Sequence, residues 1–229
     1  MDLGPYLLGP NDTTENGIYM GDARVLAEAI PADSVDLIFT DPPYPREFIP
    51  LFGATAEIAA RVLRPGGFCI VYVGGTYLPE ILALMTERLR YHWHLSIYQP
   101  GDNCILWPKR IMSGLKLLLC FSKGPAQPRC LTRDVFVGTA ADKRYHIWGQ
   151  EEGSARYYVD SFSAPGDVVL DPFTGGGTTP AVCKMLHRPF LGFEIDSATA
   201  AIARDRVRDT QMPMMDLTRQ DALDFGEAQ

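Results

Sequence analysis

The stretch VVLDPFTGGGTTPAV, residues 168 to 182, constrains the fold more than any other part of the chain. Its first half is an apolar, β-branched run of strand length and its second half opens a helix, so Gly175 to Gly177 must turn a strand into a helix. Glycines at such a turn accept positive φ and leave no Cβ between the backbone and an approaching ligand. A strand, a glycine turn and a helix in succession belong to a sheet whose strands alternate with covering helices.

The same alternation runs through the chain. GIYMGD reads as a strand, ARVLAEAI as a helix, SVDLIFT as a strand, FIPLFGATAEIAARVL as a helix, RPGG as a turn and FCIVYVG as a strand. LPEILALMTERLR continues as a helix, and WHLSIYQ and GLKLLLCFS read as an antiparallel edge pair. After residue 150, GSARYYVDSFS is a helix, DVVLDPF a strand, PFLGFEID a strand and SATAAIARDRVRD a helix. Residues 123 to 145, rich in Pro, Gly and charge, have no period and read as a short substrate-facing insertion in a single domain of residues 1 to 229. The polar end of the chain reads as partly disordered.

Apolar residues make up 46% of the 229, yet their runs are strand-length, so no membrane segment is expected. An acid at position 2 and the lack of a basic, then apolar, leader argue against a signal peptide, which makes the cytoplasm the expected location. Five scattered cysteines, mostly in apolar runs, read as reduced core thiols rather than disulfides or a zinc site. His92 and His94 alternate along a strand, but no third ligand lies near them in sequence, and no metal is expected. Trp93 and Trp107 read as core or interface residues.

A net charge of -7 argues against a polyanionic partner until its distribution is considered. Residues 88 to 156 hold eleven Lys or Arg against five acids, a net of +6 that leaves -13 to the remainder. Such asymmetry marks a candidate nucleic-acid face, carried by Lys109, Arg110, Lys123, Arg129, Arg133, Lys143 and Arg144.

Two strands end on an acid followed by proline: Asp41 in IFTDPPY and Asp171 in VVLDPFT. Taken alone, Asp41 to Tyr44 also reads as an Asp-capped turn. The second acid decides the matter. Glu194 closes the strand after the glycine loop, 23 residues past Asp171, where an acid binds the two hydroxyls of a ribose. The loop lacks the third glycine of a dinucleotide fingerprint and the lysine of a phosphate loop. Asp171 would repel a pyrophosphate but suits an ammonium, and S-adenosylmethionine carries both an ammonium and a ribose.

On DPPY at Asp41 to Tyr44 and DPFTGGGTT at Asp171 to Thr179, the chain resembles the amino-methyltransferases that act on exocyclic nitrogens of nucleic-acid bases. The catalytic motif precedes the cofactor loop, as in the circularly permuted β class of DNA methyltransferases. The resemblance implies a Rossmann-like α/β fold with a seven-stranded mixed sheet, S-adenosylmethionine as cofactor and DNA as partner, with RNA as the alternative. It implies catalysis by Asp41, Pro42, Pro43 and Tyr44. Asp171, Phe173, Gly175, Gly177, Thr178, Thr179 and Glu194 would hold the cofactor, with Asp22 on its adenine or as a helix cap.

Trp148 and Gln150 sit, with His146, where the family's second cofactor segment lies, although Gln150 and Glu151 replace its usual Lys-Pro pair. Asp41 favours adenine N6, because cytosine-N4 members of this class often carry Ser there. The insertion is short for reading several base pairs, so relaxed specificity or a homodimer is expected. A catalytically silent nucleic-acid-binding subunit is the alternative from another class, and the intact Asp41, Tyr44 and glycine loop oppose it.

Overall fold

The computed structural model describes residues 17–98, 104–107, 109–138 and 152–211. Its strands are β1 (Gly17–Met20), β2 (Val35–Thr40), β3 (Leu63–Val73), β4 (Arg90–Tyr98), β5 (Cys104–Leu106), β6 (Ile111–Ser113), β7 (Leu115–Ser122), β8 (Val135–Val137), β9 (Val169–Asp171) and β10 (Phe190–Glu194). Its helices are α1 (Ala23–Leu26), α2 (Pro50–Val62), α3 (Leu78–Thr86), α4 (Glu152–Phe162), α5 (Thr178–Met185) and α6 (Ser197–Asp209). Among the described residues, eight strands form one sheet in the order β1-β10-β9-β2-β3-β7-β4-β8, and β5 pairs only with β6.

Alternate residues of the central strands feed two core layers. From β2, Ile38 packs with Phe52, Ala56 and Ala59 of α2 and with Ile81 and Met85 of α3. Leu37 and Phe39 face the other way, onto Tyr158 and Val159 of α4, Val182 of α5 and Ala203 of α6. A strand buried on both faces reads as a near-continuous apolar run, which is why SVDLIFT lacks regular alternation; its buried Asp36 is held by the Val168 amide at 2.8 Å and by Arg64. Burying each such Phe, Leu or Ile side chain contributes roughly 1.5–3 kcal/mol. The helices start where their sequences allow: Pro50 at the first turn of α2, and Asp196 accepting from the Thr199 amide at 2.8 Å to cap α6.

Strand directions place the chemistry. β1, β10, β9, β2 and β3 are mutually parallel, and β7 alone runs against its neighbours β3 and β4. From β2 the chain winds outward through α2 to β3; from β9 it winds the other way through α5 to β10. The order therefore reverses between β9 and β2, and the crevice beyond their carboxyl ends is the natural ligand site of such a sheet.

Several details depart from the sequence reading. The sheet has eight strands rather than seven, because residues 135–137 add β8 parallel to β4. The expected edge pair is antiparallel, but β7 lies inside the sheet, between β3 and β4. RPGG falls within the bounds of β3 as a break in register between the pairs Val35 with Leu63 and Leu37 with Phe68, with Gly66 at φ +84°. Cys69, Cys120 and Cys183 are buried, whereas Cys104 is exposed and Cys130 half-buried. No helix among the described residues is long and apolar enough to cross a membrane. The chain end expected to be partly disordered lies outside the described residues.

Candidate active site

β2 and β9 lie side by side, with Leu37 opposite Val169 and Ile38 opposite Leu170, so Asp41 and Asp171 emerge at the same end of the sheet. The strands are joined there by side chains. Thr40 Oγ1 donates to Asp171 Oδ1 at 2.6 Å, and the Phe173 amide donates to the same oxygen at 3.2 Å. Asp171 is only 3% exposed. Burial pushes its carboxyl up to about 7, against the hydrogen bonds from Thr40, Thr179 and the Phe173 amide, with Asp41 adding a smaller push upward.

The glycine loop is held from three sides. Glu194, at the end of β10, accepts from the Gly175 amide at 3.0 Å through one carboxylate oxygen and from the Asp196 amide at 2.9 Å through the other. Thr174 Oγ1 donates to the Asp171 carbonyl at 3.1 Å. Arg206 of α6, 2% exposed, donates to Thr178 Oγ1 at 2.9 Å and to Glu152 of α4 at 2.6 Å, tying two helices to the loop.

The loop's glycines differ in what they require. Gly177 has φ +80°, and a Cβ there would lie 2.9 Å from Ala203 Cα, so α6 packs directly on its backbone. Gly175 has φ +51°, yet a Cβ there would meet nothing within 4 Å, so its backbone faces open space. Phe173 is half-buried against the core, and Thr178 and Thr179 are buried at the first turn of α5.

Asp22 caps α1, accepting from the Arg24 amide at 2.9 Å, and its carboxylate also takes the Arg24 guanidinium at 2.5 Å. That guanidinium holds its carboxyl below the usual range. The neighbouring Gly21 amide donates to the Glu194 carbonyl at 2.8 Å, so the cap sits beside the acid of the glycine loop.

In the first motif, Asp41 is half-buried, Pro42 buried and Pro43 exposed. The Tyr44 hydroxyl donates to Asp41 Oδ1. The Tyr44 ring is 39% exposed and packs beside Gly74, where a Cβ would lie 3.6 Å from it. Desolvation of its hydroxyl end, and then the Asp41 carboxylate, raise the Tyr44 phenol well above its ordinary value. Tyr72 forms the floor: it is buried, edge-to-face with Phe39 at 5.6 Å, and its phenol is pushed up by burial and then by Asp41. Sequence reading passed over Tyr72 as one aromatic in a strand; its place two residues before Gly74 was the available signal.

The basic residues scatter. Lys123 pairs with Asp33 at 2.6 Å and Arg129 with Asp160 at 3.0 Å, at the end of the sheet opposite Asp41. Arg133 is exposed ahead of β8, its amide accepted by the Tyr157 hydroxyl at 2.8 Å. Lys109 and Arg110 are exposed on the β5–β6 connection. His146, Trp148, Gln150, Lys143 and Arg144 lie outside the described residues. A groove of about 770 Å³ lined by His92, Trp93, Arg129, Leu131 and Phe162 contains none of the motif residues. Trp93 and Trp107 are exposed, at 51% and 72%, and neither is a core residue.

Comparison with known proteins fits this geometry. The model of the N6/N4 methylase family, described as DNA methylase, matches residues 142–205, which include the glycine loop and Glu194. DNA adenine methyltransferase YhdJ of Escherichia coli (strain K12) is 30% identical over 79% of this chain and 78% of that protein. The cytosine-N4-specific PvuII DNA methyltransferase superposes with a TM-score of 0.76 at 20% identity, over 91% of this chain and 92% of that one. M1.HpyAVI, solved as a complex with S-adenosylmethionine, superposes with a TM-score of 0.71 at 21% identity, over 83% of this chain and 98% of that one. Those folds share the sheet described above, and the identity to a curated enzyme extends over most of both chains: the protein belongs to the N6/N4 DNA methylase family.

Proposed function

We propose that this enzyme transfers a methyl group from S-adenosylmethionine to an exocyclic amine of a DNA base, adenine N6 ahead of cytosine N4. The carrying observation is the Thr40 to Asp171 hydrogen bond, which fixes the DPPY motif beside the glycine loop at the switch point of the sheet. The permuted order of the two motifs supports the β class. Asp rather than Ser at position 41 supports adenine, as does the adenine activity in the name of the Escherichia coli relative.

The residues present fit the cofactor. Open space at Gly175 admits a ligand against the backbone, and the Glu194 carboxylate beside it retains lone pairs for ribose hydroxyls after accepting two amides. Asp171 is poised to ionise near neutrality, and a ligand ammonium would favour its carboxylate form. When bound, this cofactor supplies an electrophilic methyl group on a sulfonium.

The chain's own residues prepare the nucleophile. An exocyclic base amine delocalises its lone pair into the ring, so its hydrogens must be held to favour a tetrahedral nitrogen. Asp41 accepts one N–H and the Pro42 carbonyl the other, and the two prolines fix the backbone between them. An entering amine competes with the Tyr44 hydroxyl for Asp41 Oδ1, and the Tyr44 ring stacks on the base once it has left the duplex. The proton released on transfer passes to Asp41 or to solvent, and no covalent intermediate with the protein forms. A cytoplasmic location accords with a DNA substrate.

The test is incubation with labelled S-adenosylmethionine and either duplex DNA or RNA, followed by digestion to nucleosides. Label in N6-methyl-2'-deoxyadenosine from DNA is expected. Label in N4-methyl-2'-deoxycytidine would move the target base, and label confined to RNA, or none, would overturn the proposal.

A further inference from the structure

We propose that the β5–β6 hairpin is a wedge that enters the DNA duplex beside the target base, with Trp107 as its leading side chain. The proposal rests on the methyltransferase reading above and extends it to how the base is reached.

The hairpin pairs Cys104 with Ser113, Ile105 with Met112 and Leu106 with Ile111, and among the described residues shares no strand pairing with the main sheet. A bare two-stranded hairpin is marginally stable in water. This one also exposes Ile105, Trp107, Ile111 and Met112, with Trp107 at 72%, and Leu115 at the start of β7 is exposed as well. Cross-strand partners share a face, so Ile105 and Met112 lie on one face and Ile111 on the other, and apolar side chains exposed on both faces of one element mark an interaction site.

Charge complementarity selects the occupant. Residues 104 to 115 hold Lys109 and Arg110 and no acid, although the whole chain carries -7. Arg110 stands at φ +58°, in the turn that brings β6 back along β5. A second copy of the chain related by a two-fold axis would set this doubly cationic element against itself, which like-charge repulsion opposes. A phosphate backbone attracts the same pair.

Position completes the argument. β4 and β7 pair Tyr98 with Leu115, while Val73 of β3 pairs with Leu117 of β7 and Val71 with Thr40 of β2. The hairpin therefore leaves the sheet at the end that carries Asp41 and Asp171, two residues before β7 begins. The amine to be methylated lies inside a duplex, and extruding a paired base costs a few kcal/mol. Inserted apolar side chains occupy the parted base step and are removed from water there, and cations on the flanking phosphates add attraction, so together they offset that cost.

The test uses one target site, first located by mapping methylated bases in plasmid DNA. It is presented in two forms: a paired duplex, and the same duplex with an abasic position opposite the target. Trp107→Ala and, independently, Met112→Ser should lower kcat/KM on the paired form at least tenfold more than on the form already unpaired. Lys109→Gln with Arg110→Gln should raise KM for both DNAs and flatten its dependence on salt. Equal losses on the two forms would overturn the wedge alone, as would a change from dimer to monomer in sedimentation, which would assign the patch to a second copy. Absence of transfer by the unsubstituted protein to either form would instead overturn the methyltransferase reading, and the wedge with it.

Discussion

Thr40 and Asp171 are 131 residues apart in sequence and 2.6 Å apart in space, hydroxyl to carboxylate. Thr40 immediately precedes Asp41 of the DPPY motif and Asp171 opens the glycine loop, so one bond sets the position of each half of the candidate site relative to the other. The bond also stabilises the charged form of a carboxyl that burial would otherwise keep protonated.

Asp171 makes stability depend on pH with a definite sign. Its carboxyl stands near 7 in the folded protein against 3.8 as a free group, so protonation favours the fold. Its stabilising contribution is complete below pH 3.8 and is lost as pH rises through about 7. Asp171→Asn keeps the shape without the ionisation. The melting temperature of the natural protein should therefore fall relative to the variant between these limits and run parallel above them. Parallel curves throughout would contradict the assignment. Calorimetric titration should show that the same variant loses affinity for S-adenosylmethionine.

Gly175 and Gly177 should separate binding from folding. Both have positive φ, but only Gly177 meets a neighbour, Ala203 Cα at 2.9 Å from the added carbon. Gly177→Ala should lower the unfolding free energy by roughly 2–5 kcal/mol, the sum of overpacking and backbone strain. Gly175→Ala should cost about 1–2 kcal/mol of strain and weaken cofactor binding more than tenfold. Denaturant melts and calorimetric titration of the two variants check this; matching stability losses would refute the distinction.

Tyr44 offers a ring and a hydroxyl, and they should behave differently. Tyr44→Phe keeps the stacking surface and removes the hydrogen bond to Asp41, so kcat/KM should change by only a few fold. Tyr44→Ala removes the platform, and stacking of a base on an aromatic ring is worth roughly 1–3 kcal/mol, or about 5- to 150-fold in kcat/KM. Steady-state kinetics on one DNA substrate distinguish the two, and equal losses would assign the hydroxyl the larger part.

Both acid-ended strands were legible because each is an apolar run buried on both faces and followed by residues with strong turn chemistry. The three-residue strands β5, β6 and β8 were not, since so few residues establish no period. Of the two places expected for Trp93, core or interface, the core is ruled out: a register shift between Tyr91 and Trp93 interrupts the alternation along β4, and Trp93 is exposed. Arg206 had no signal in the sequence beyond its place in a helix, and its burial comes from α6 meeting the glycine loop and α4, where it bonds Thr178 and Glu152. Lys123 was legible as a charge, while its partner Asp33, 90 residues earlier, came from the fold.

The central claim is that Asp41, held beside the glycine loop, prepares the base amine for methyl transfer. The most direct measurement compares the natural protein and Asp41→Ala in single-turnover transfer of labelled methyl from S-adenosylmethionine to DNA, with cofactor affinity measured in parallel. The account predicts a rate lowered by about 10²–10⁴-fold with cofactor affinity within a few fold of the natural value. Transfer at an undiminished rate by Asp41→Ala would contradict it.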